Sequence, residues 1–381
     1  MTTPSPPAAT AERTELYTSD DPLILESGQT LAPVTAAWEC YGRLNRAGDN
    51  AILVCHALTG SAHAADYGPL TAAPGEAPGW WNGAIGPGKA FDPERYAVFC
   101  INFLGSCYGS TGPLSIDPAT GRPFGPDFPE ITVRDMVRVQ MRLLERLGVT
   151  SLAAVAGGSL GGMQALEWAV MVPDRVRSVI AIATAAQHSA WAVAFNEVVR
   201  QAIMGDPEWQ GGRYDRQPAR GLALARMMAM ISYRSAESYQ ARFGREPANP
   251  ADSRTAPMFN DAPPAHQVSQ YLRYQGRKLS ERFDANTYLT ITRAMDRHDL
   301  AEGRGPLEGV LGGITCPALC VGISSDVLYP PAEQKAIAAA LPNGRYAEID
   351  SPHGHDAFLI EWAQMNALLG GFLAEHEGVR A

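Results

Sequence analysis

The chain reads as an α/β protein with a mainly parallel central sheet, interrupted by an all-helical insertion. Three observations predict this. Apolar runs of strand length recur at Val34–Tyr41, Ala51–Cys55, Tyr96–Ile101, Leu152–Ala156, Ser178–Ala183, Ala318–Ile323 and Arg345–Ile349, and near-continuous apolar runs belong to strands covered on both faces. Clear helical patterns follow two of them, the alternation that builds a parallel sheet. Between about Ala185 and Leu311 the strand runs vanish in favour of helical periodicity, aromatic residues and breaks such as Pro247-Ala-Asn-Pro250 and Pro263-Pro264; the β pattern then resumes at Ile314-Thr-Cys-Pro317. The insertion therefore splits one domain. We assign residues 1–14 to a disordered tail, 15–184 and 313–381 to the two parts of the core, and 185–312 to a helical lid.

Taken in order, the tail is Pro/Thr/Ala-rich from Met1 to Ala11 and lacks the basic and apolar regions of a signal peptide. No apolar run reaches membrane-spanning length, so we expect a cytoplasmic protein without a membrane partner. Thr132-Val-Arg-Asp135 has the form of a capping box. It opens a helix whose core face is Met136, Val137, Met141, Leu144 and Leu147, and which Gly148 stops. Leu152–Ala156 then leads into Gly157-Gly158-Ser159-Leu160-Gly161, followed by the helical pattern Gly162–Met171. A serine between glycines at a strand-to-helix turn has the form of a nucleophile elbow. The helix start aims backbone amides at the same point, which makes Leu160 N–H an oxyanion donor. Read without chemistry, the same stretch is a glycine-rich turn.

Composition narrows the classes. The 381 residues are 46% hydrophobic and 19% charged, enough for a large core plus an insertion. A formal charge of −9 with no clustered basic face excludes a nucleic-acid partner. The six cysteines are scattered, several inside strand runs, and are read as reduced thiols; no spacing suggests a metal. Gly86-Pro-Gly88-Lys89 is a turn rather than a phosphate loop.

A serine hydroxyl becomes a nucleophile when a positioned base takes its proton and a carboxylate orients that base. Asp326 follows the strand Ala318–Ile323, at the end of the sheet where active sites sit. After the next strand comes Ser351-Pro-His-Gly-His355-Asp356. The order Ser159, Asp326, His355 is that of an α/β-hydrolase triad. We favour His355 as base because Gly354 lets its loop bend; His353 then braces the loop. A second oxyanion donor is expected after an early strand, and Leu58 N–H in His56-Ala-Leu-Thr-Gly60 fits. His56 is read as structural, with a catalytic role as the alternative.

Several long motifs now resemble one family. His56-Ala-Leu-Thr-Gly60, Asn102-Phe-Leu-Gly-Ser-Cys-Tyr-Gly-Ser-Thr-Gly-Pro113, Gly157-Gly-Ser-Leu-Gly-Gly-Met-Gln164, Tyr271-Leu-Arg-Tyr-Gln-Gly276, Arg282-Phe-Asp-Ala-Asn286, Ser325-Asp-Val-Leu-Tyr-Pro330 and Gly354-His-Asp-Ala-Phe358 resemble the homoserine O-acetyltransferases of the α/β-hydrolase superfamily, essentially from Glu15 onward. The resemblance implies an α/β-hydrolase fold and transfer of an acetyl group from acetyl-CoA, as co-substrate and without a resident cofactor, to the serine and then to L-homoserine. It also implies a homodimer through lid helices. A zwitterionic acceptor needs a cation for its carboxylate and a carboxylate for its ammonium. Arg226, on the apolar face Leu222, Ala229, Met230 and Tyr233 of the helix Gly221–Tyr233, is our candidate for the first, in agreement with the family. The alternative is a salt-bridged lid arginine. Asp356 is the candidate for the second, or a helix N-cap. Leu328 stands where succinyl-transferring members of the family resemble a pattern with arginine, so acetyl is favoured over succinyl. Serine or another amino alcohol as acceptor, and plain ester hydrolysis, are the rival readings. Tyr271, Tyr274 and Tyr288 either pack helices or line the lid tunnel, and packing is preferred.

Overall fold

The computed structural model describes residues 8–71, 78–249 and 263–376. Pro250 of the insertion's proline break and the first seven residues of the expected tail lie outside them.

The described residues form ten strands: β1 Ala9–Tyr17, β2 Leu23–Ile24, β3 Thr30–Leu31, β4 Val34–Tyr41, β5 Ala51–Cys55, β6 Ala97–Ile101, β7 Leu152–Gly158, β8 Val179–Ile182, β9 Ala318–Ile323 and β10 Gly344–Ile349. Eight form one sheet in the order β1-β4-β6-β5-β7-β8-β9-β10, while β2 and β3 pair separately. β4 runs antiparallel to both β1 and β6, and the pairs from β6 to β10 are parallel. All seven strand runs read from the sequence are strands of this sheet. β5 and β6 are buried at every residue and serve both faces: Leu53 and Phe99 enter the core on one side, Ile52, Val54, Val98 and Cys100 the core on the other.

The tail needs correction. Ala9–Thr14 are part of β1, an edge strand paired with Ala36–Tyr41. Burial along β1 is slight, with Leu16 its buried residue. The strand is held by backbone hydrogen bonds rather than side-chain burial, which is why its polar composition reads as a tail.

The helices are α1 Val133–Arg146, α2 Leu160–Met171, α3 Ala190–Met204, α4 Ala219–Ser232, α5 Ala236–Phe243, α6 Gln267–Ser280, α7 Ala285–Asp296, α8 Leu307–Gly312, α9 Pro331–Ala340 and α10 Trp362–Glu375. Thr132 and Asp135 form the anticipated capping box on α1. α3 to α7 make up the insertion, which holds no strand among the described residues. Its two roots are pinned together: Gln187 pairs with Asp299, and His188 N–H donates to His298 O at 2.9 Å. The roots therefore lie inside the 185–312 bounds read from the sequence.

A buried carboxylate locks the second root to the core. Glu167 on α2 is 1% exposed. It forms ion pairs with Arg134 of α1, whose Nε lies 3.1 Å away, and with Arg304, just beyond the lid's return. Removing one partner of a buried ion cluster leaves the others without compensation. Glu167→Gln is expected to destabilise the fold by about 3 kcal/mol, seen as a lower urea midpoint. The half-exposed pair Arg345–Glu375 is the control: Glu375→Gln should hardly move that midpoint.

Candidate active site

Ser159 sits at the turn from β7 into α2 with φ 58° and ψ −127°, a conformation that residues with a side chain rarely adopt. The surroundings hold it there. Ser159 N–H donates to Ile182 O of β8 at 2.9 Å, and its own carbonyl accepts Gly162 N–H at 2.9 Å and Thr184 Oγ1 at 2.7 Å. The turn fits against β5 because residue 161 is glycine: a Cβ there would strike the Cys55 carbonyl oxygen. Leu160 N–H occupies the first helical position, where no intrahelical partner exists, and no other backbone acceptor takes it. Leu58, in the turn after β5, borders the same cavity as Ser159, and its N–H likewise has no backbone acceptor among the described residues. Of the two oxyanion candidates, one thus follows Ser159 in the chain and the other borders the cavity over it.

Asp326 follows β9 directly. Its Oδ1 accepts the backbone N–H groups of Leu328 at 2.8 Å and Tyr329 at 3.0 Å, leaving Oδ2 to pair with His355 Nδ1 at 2.7 Å. His355 lies in a short 3₁₀ turn, Gly354–Leu359, and α10 starts only at Trp362. Gly354 has φ 69°, and a Cβ on it would collide with the backbone of Arg234; the base loop is thus seated against the turn between α4 and α5. With Nδ1 committed to Asp326, Nε2 has no hydrogen-bond partner among the described residues. Tyr233 and Tyr329 border the Ser159 cavity, with ring centres 5.7 and 5.2 Å from that of His355. No hydrogen bond joins Ser159 Oγ to His355 among the described residues; such bonds commonly close only when substrate is bound. His353 braces the loop through Ser238, 3.4 Å away.

Burial alone would push the His355 pKa down, but the Asp326 charge and hydrogen bond, helped by Asp356, raise it above its ordinary value. His56 behaves oppositely. It is fully buried, stacked on Phe103 at 4.3 Å, and burial lowers its pKa to about 4. It stays neutral and structural. Its carbonyl accepts Gln164 Nε2 at 3.3 Å, Gln164 Oε1 accepts Gln140 Nε2 at 2.7 Å, and Gln140 Oε1 accepts Trp168 Nε1 at 2.8 Å, a buried polar chain that ends on the residue two before Leu58.

The cavity over Ser159 leaves only about 30 Å³ for the centres of water-sized molecules, little more than one or two such sites. Leu328 and Tyr288 both border it, so Tyr288 belongs to the site wall rather than to helix packing alone. Tyr271 instead packs on Tyr239 and Phe243 within the lid. Arg226 is half-buried, its guanidinium 5.5 Å from the Tyr233 ring centre, and it has no carboxylate partner among the described residues. Asp356 is paired: its Oδ2 lies 3.2 Å from Arg234 Nε. The sequence reading missed Arg234, and also Arg282, which donates to the Thr59 carbonyl at 3.0 Å and to the Tyr108 hydroxyl, tying the lid to the Leu58 turn. Both stand inside or next to motifs quoted above, but a surface-type residue gives no periodic signal of its partner.

Among the described residues no group of His, Cys, Asp or Glu is arranged to hold a metal, and no helix is long and apolar enough to cross a membrane.

A family model described as the alpha/beta hydrolase fold matches residues 50–361. The chain is 53% identical to a homoserine O-acetyltransferase of Symbiobacterium thermophilum over 94% of each protein. The chain belongs to the homoserine O-acetyltransferase family. Among solved structures, a homoserine O-acetyltransferase from Bacillus anthracis superimposes with a TM-score of 0.85 at 30% identity, covering 96% of this chain and 97% of that one. Esterase E22 also gives 0.85 at 30% identity, over 96% and 100%. The fold is thus shared by transferases and esterases.

Because His355 must be neutral to accept a proton, the raised pKa places the acidic limb of kcat/KM above pH 6.5, the usual histidine value. Replacing Asp326 with Asn removes the charge that raises it. A pH–rate series on Asp326→Asn should show the limb displaced to lower pH and kcat reduced by about 10⁴; an unmoved limb would contradict the pairing.

Proposed function

We propose that this chain transfers an acetyl group from acetyl-CoA to the hydroxyl of L-homoserine through an acetyl-Ser159 intermediate. In the first half-reaction His355 Nε2 takes the Ser159 proton as Oγ bonds to the thioester carbon. Leu58 and Leu160 N–H groups receive the charge that develops on the carbonyl oxygen. The C–S bond breaks, and the thiolate leaves with the proton from His355. In the second half the homoserine hydroxyl gives its proton to His355 and bonds to the acetyl carbon. The tetrahedral intermediate then collapses, and Ser159 Oγ recovers the proton. Asp326 steadies the imidazolium in both halves.

The observation that carries the transferase reading is Arg226. A half-buried guanidinium without a carboxylate partner among the described residues, beside a ring that borders the nucleophile's cavity, suits the carboxylate of an amino-acid acceptor. Asp356, although paired with Arg234, retains acceptor sites for the ammonium. The apolar Leu328 beside the nucleophile gives a succinyl carboxylate no partner, which supports acetyl over succinyl. The near-dry cavity supports transfer over loss of the acetyl group to water. Esterase E22's likeness keeps hydrolysis as the second reading. Homodimerisation through the lid is part of the proposal: Trp191 and Val198 on α3 and Leu224 and Ile231 on α4 are large, exposed apolar residues, each pair one heptad apart.

Thiol release from acetyl-CoA, followed with and without homoserine, separates the readings. Turnover should require homoserine and fall by roughly six powers of ten in Ser159→Ala. Arg226→Gln should raise the homoserine KM roughly tenfold to a hundredfold while leaving the acetylation half-reaction intact. Thiol release indifferent to homoserine would establish a hydrolase instead.

A further inference from the structure

A second histidine–carboxylate pair faces the nucleophile's cavity from the lid side. His188 borders that cavity, its side chain 1% exposed, at the root where the insertion leaves the core. Its Nε2 lies 3.0 Å from the Tyr329 hydroxyl. Its Nδ1 lies 3.3 Å from Asp296 Oδ1 near the lid's return, an electrostatic contact whose angle falls short of a hydrogen bond. Asp296 is held in turn by Arg200 at 2.6 Å and by Asn196 at 2.7 Å, both on α3. The carboxylate beside Nδ1 favours the ring proton there, leaving Nε2 to accept from Tyr329.

Tyr329 is the other half of the device. It comes three residues after Asp326, and its own N–H donates to Asp326 Oδ1 at 3.0 Å. Its ring is fully buried and lies 5.2 Å from His355, centre to centre. Burial, reinforced by the nearby charges of Asp326, Glu333 and Asp296, keeps its hydroxyl protonated and therefore a donor. One residue thus grips the catalytic carboxylate with its backbone, walls the base with its ring and reaches the lid root with its hydroxyl.

We propose that His188 is a positioning residue of the acyl-transfer site, which by accepting the Tyr329 hydroxyl fixes the loop that presents Asp326 to His355. The inference rests on the Ser159–His355–Asp326 reading above. It does not depend on which acyl donor or acceptor is used. It also gives the lid a second task, since the clasp of Arg200, Asp296 and His188 lets the base line up only when both lid roots are in place. The groups facing His355 are Asp326, Asp356 with its partner Arg234, and Tyr233 and Tyr329; those facing His188 are Asp296 with Arg200, Tyr329 and His298. Loosening the Asp326 loop weakens the interaction that raises the His355 pKa, so the acidic limb moves to lower pH.

The test uses the full-length protein with two donors, acetyl-CoA and p-nitrophenyl acetate, the second reporting acylation of Ser159 whatever the natural donor is. Tyr329→Phe, which deletes one hydroxyl, and His188→Leu should each lower kcat roughly tenfold to a hundredfold and move the acidic limb downward. The double variant should be no worse than the poorer single, because both delete the same hydrogen bond. His188→Gln, with an acceptor at the Nε2 position, should restore most of the loss. Tyr329→Phe that keeps kcat and limb and lowers only the melting temperature overturns the proposal, as does a multiplicative double variant. Should His188→Leu not fold, Tyr329→Phe and His188→Gln decide alone. Wild-type protein that is acylated by the ester but not by acetyl-CoA refutes the proposed donor and leaves the His188 test intact. Wild-type protein acylated by neither removes the triad on which both rest.

Discussion

Everything at this site depends on one backbone residue held where side chains seldom go. Keeping Ser159 at φ 58° costs of order 1–3 kcal/mol, and the fold meets that cost from three directions. β8 accepts the serine's N–H, Thr184 and the first turn of α2 hold its carbonyl, and glycine at 161 lets α2 begin directly against the end of β5. On the proposed reaction that close approach has a chemical result: the packing that seats Ser159 also fixes the start of α2, and with it the Leu160 amide offered to the oxyanion.

The lid is bound into this arrangement at several points rather than laid over it. Glu167, buried on the nucleophile's own helix, is shared between α1 and the lid's exit. Arg282 reaches from the lid to the carbonyl of Thr59 beside the Leu58 turn. Arg234 contacts Asp356 next to the base, and Trp191 Nε1 donates to the Val327 carbonyl at 2.7 Å, one residue past the catalytic acid. The last three contacts each end one residue from a group assigned a role in the proposed chemistry: Leu58, His355 and Asp326. A lid attached in this way sets geometry as well as excluding water, which distinguishes it from a flap that opens on a single hinge.

The sheet was legible in the sequence because burial on both faces writes itself as apolar runs, and the triad because elbow, acid and base each stand just after such a run. β1 was not legible. Its stability lies in an edge ladder to β4, which any side chains of β propensity can make. Asp135 was read as a cap and is one, yet it also accepts Glu26 N–H at 3.0 Å and pairs with Arg138; a tertiary partner more than a hundred residues away has no local signature. The same reason hid His188. A lone histidine at a loop end carries no period, and its partners Tyr329 and Asp296 lie 141 and 108 positions further along the chain. Arg226 was found because it broke a pattern, a cation on an apolar helical face, whereas Arg234 lies just past the helix end and broke none.

On the proposed reaction, the balance of charge around His355 lets one imidazole serve two opposed steps. Burial favours its neutral form, Asp326 and Asp356 favour the charged one, and the carboxylates win. A base whose two protonation states are both supported by its surroundings can take a hydroxyl proton and return it to a leaving group. Asp326 alone, committed through Oδ2, supplies a constant field. Asp356 supplies an adjustable one, since Arg234 already shares its charge and any further cation beside it diminishes its effect on the imidazole. On the proposed reaction that cation is the acceptor's ammonium. Its arrival lowers the base's proton affinity, which favours the neutral imidazole at the stage where that imidazole must accept the attacking hydroxyl's proton. A carboxylate beside the base then serves recognition and catalysis through the same charge.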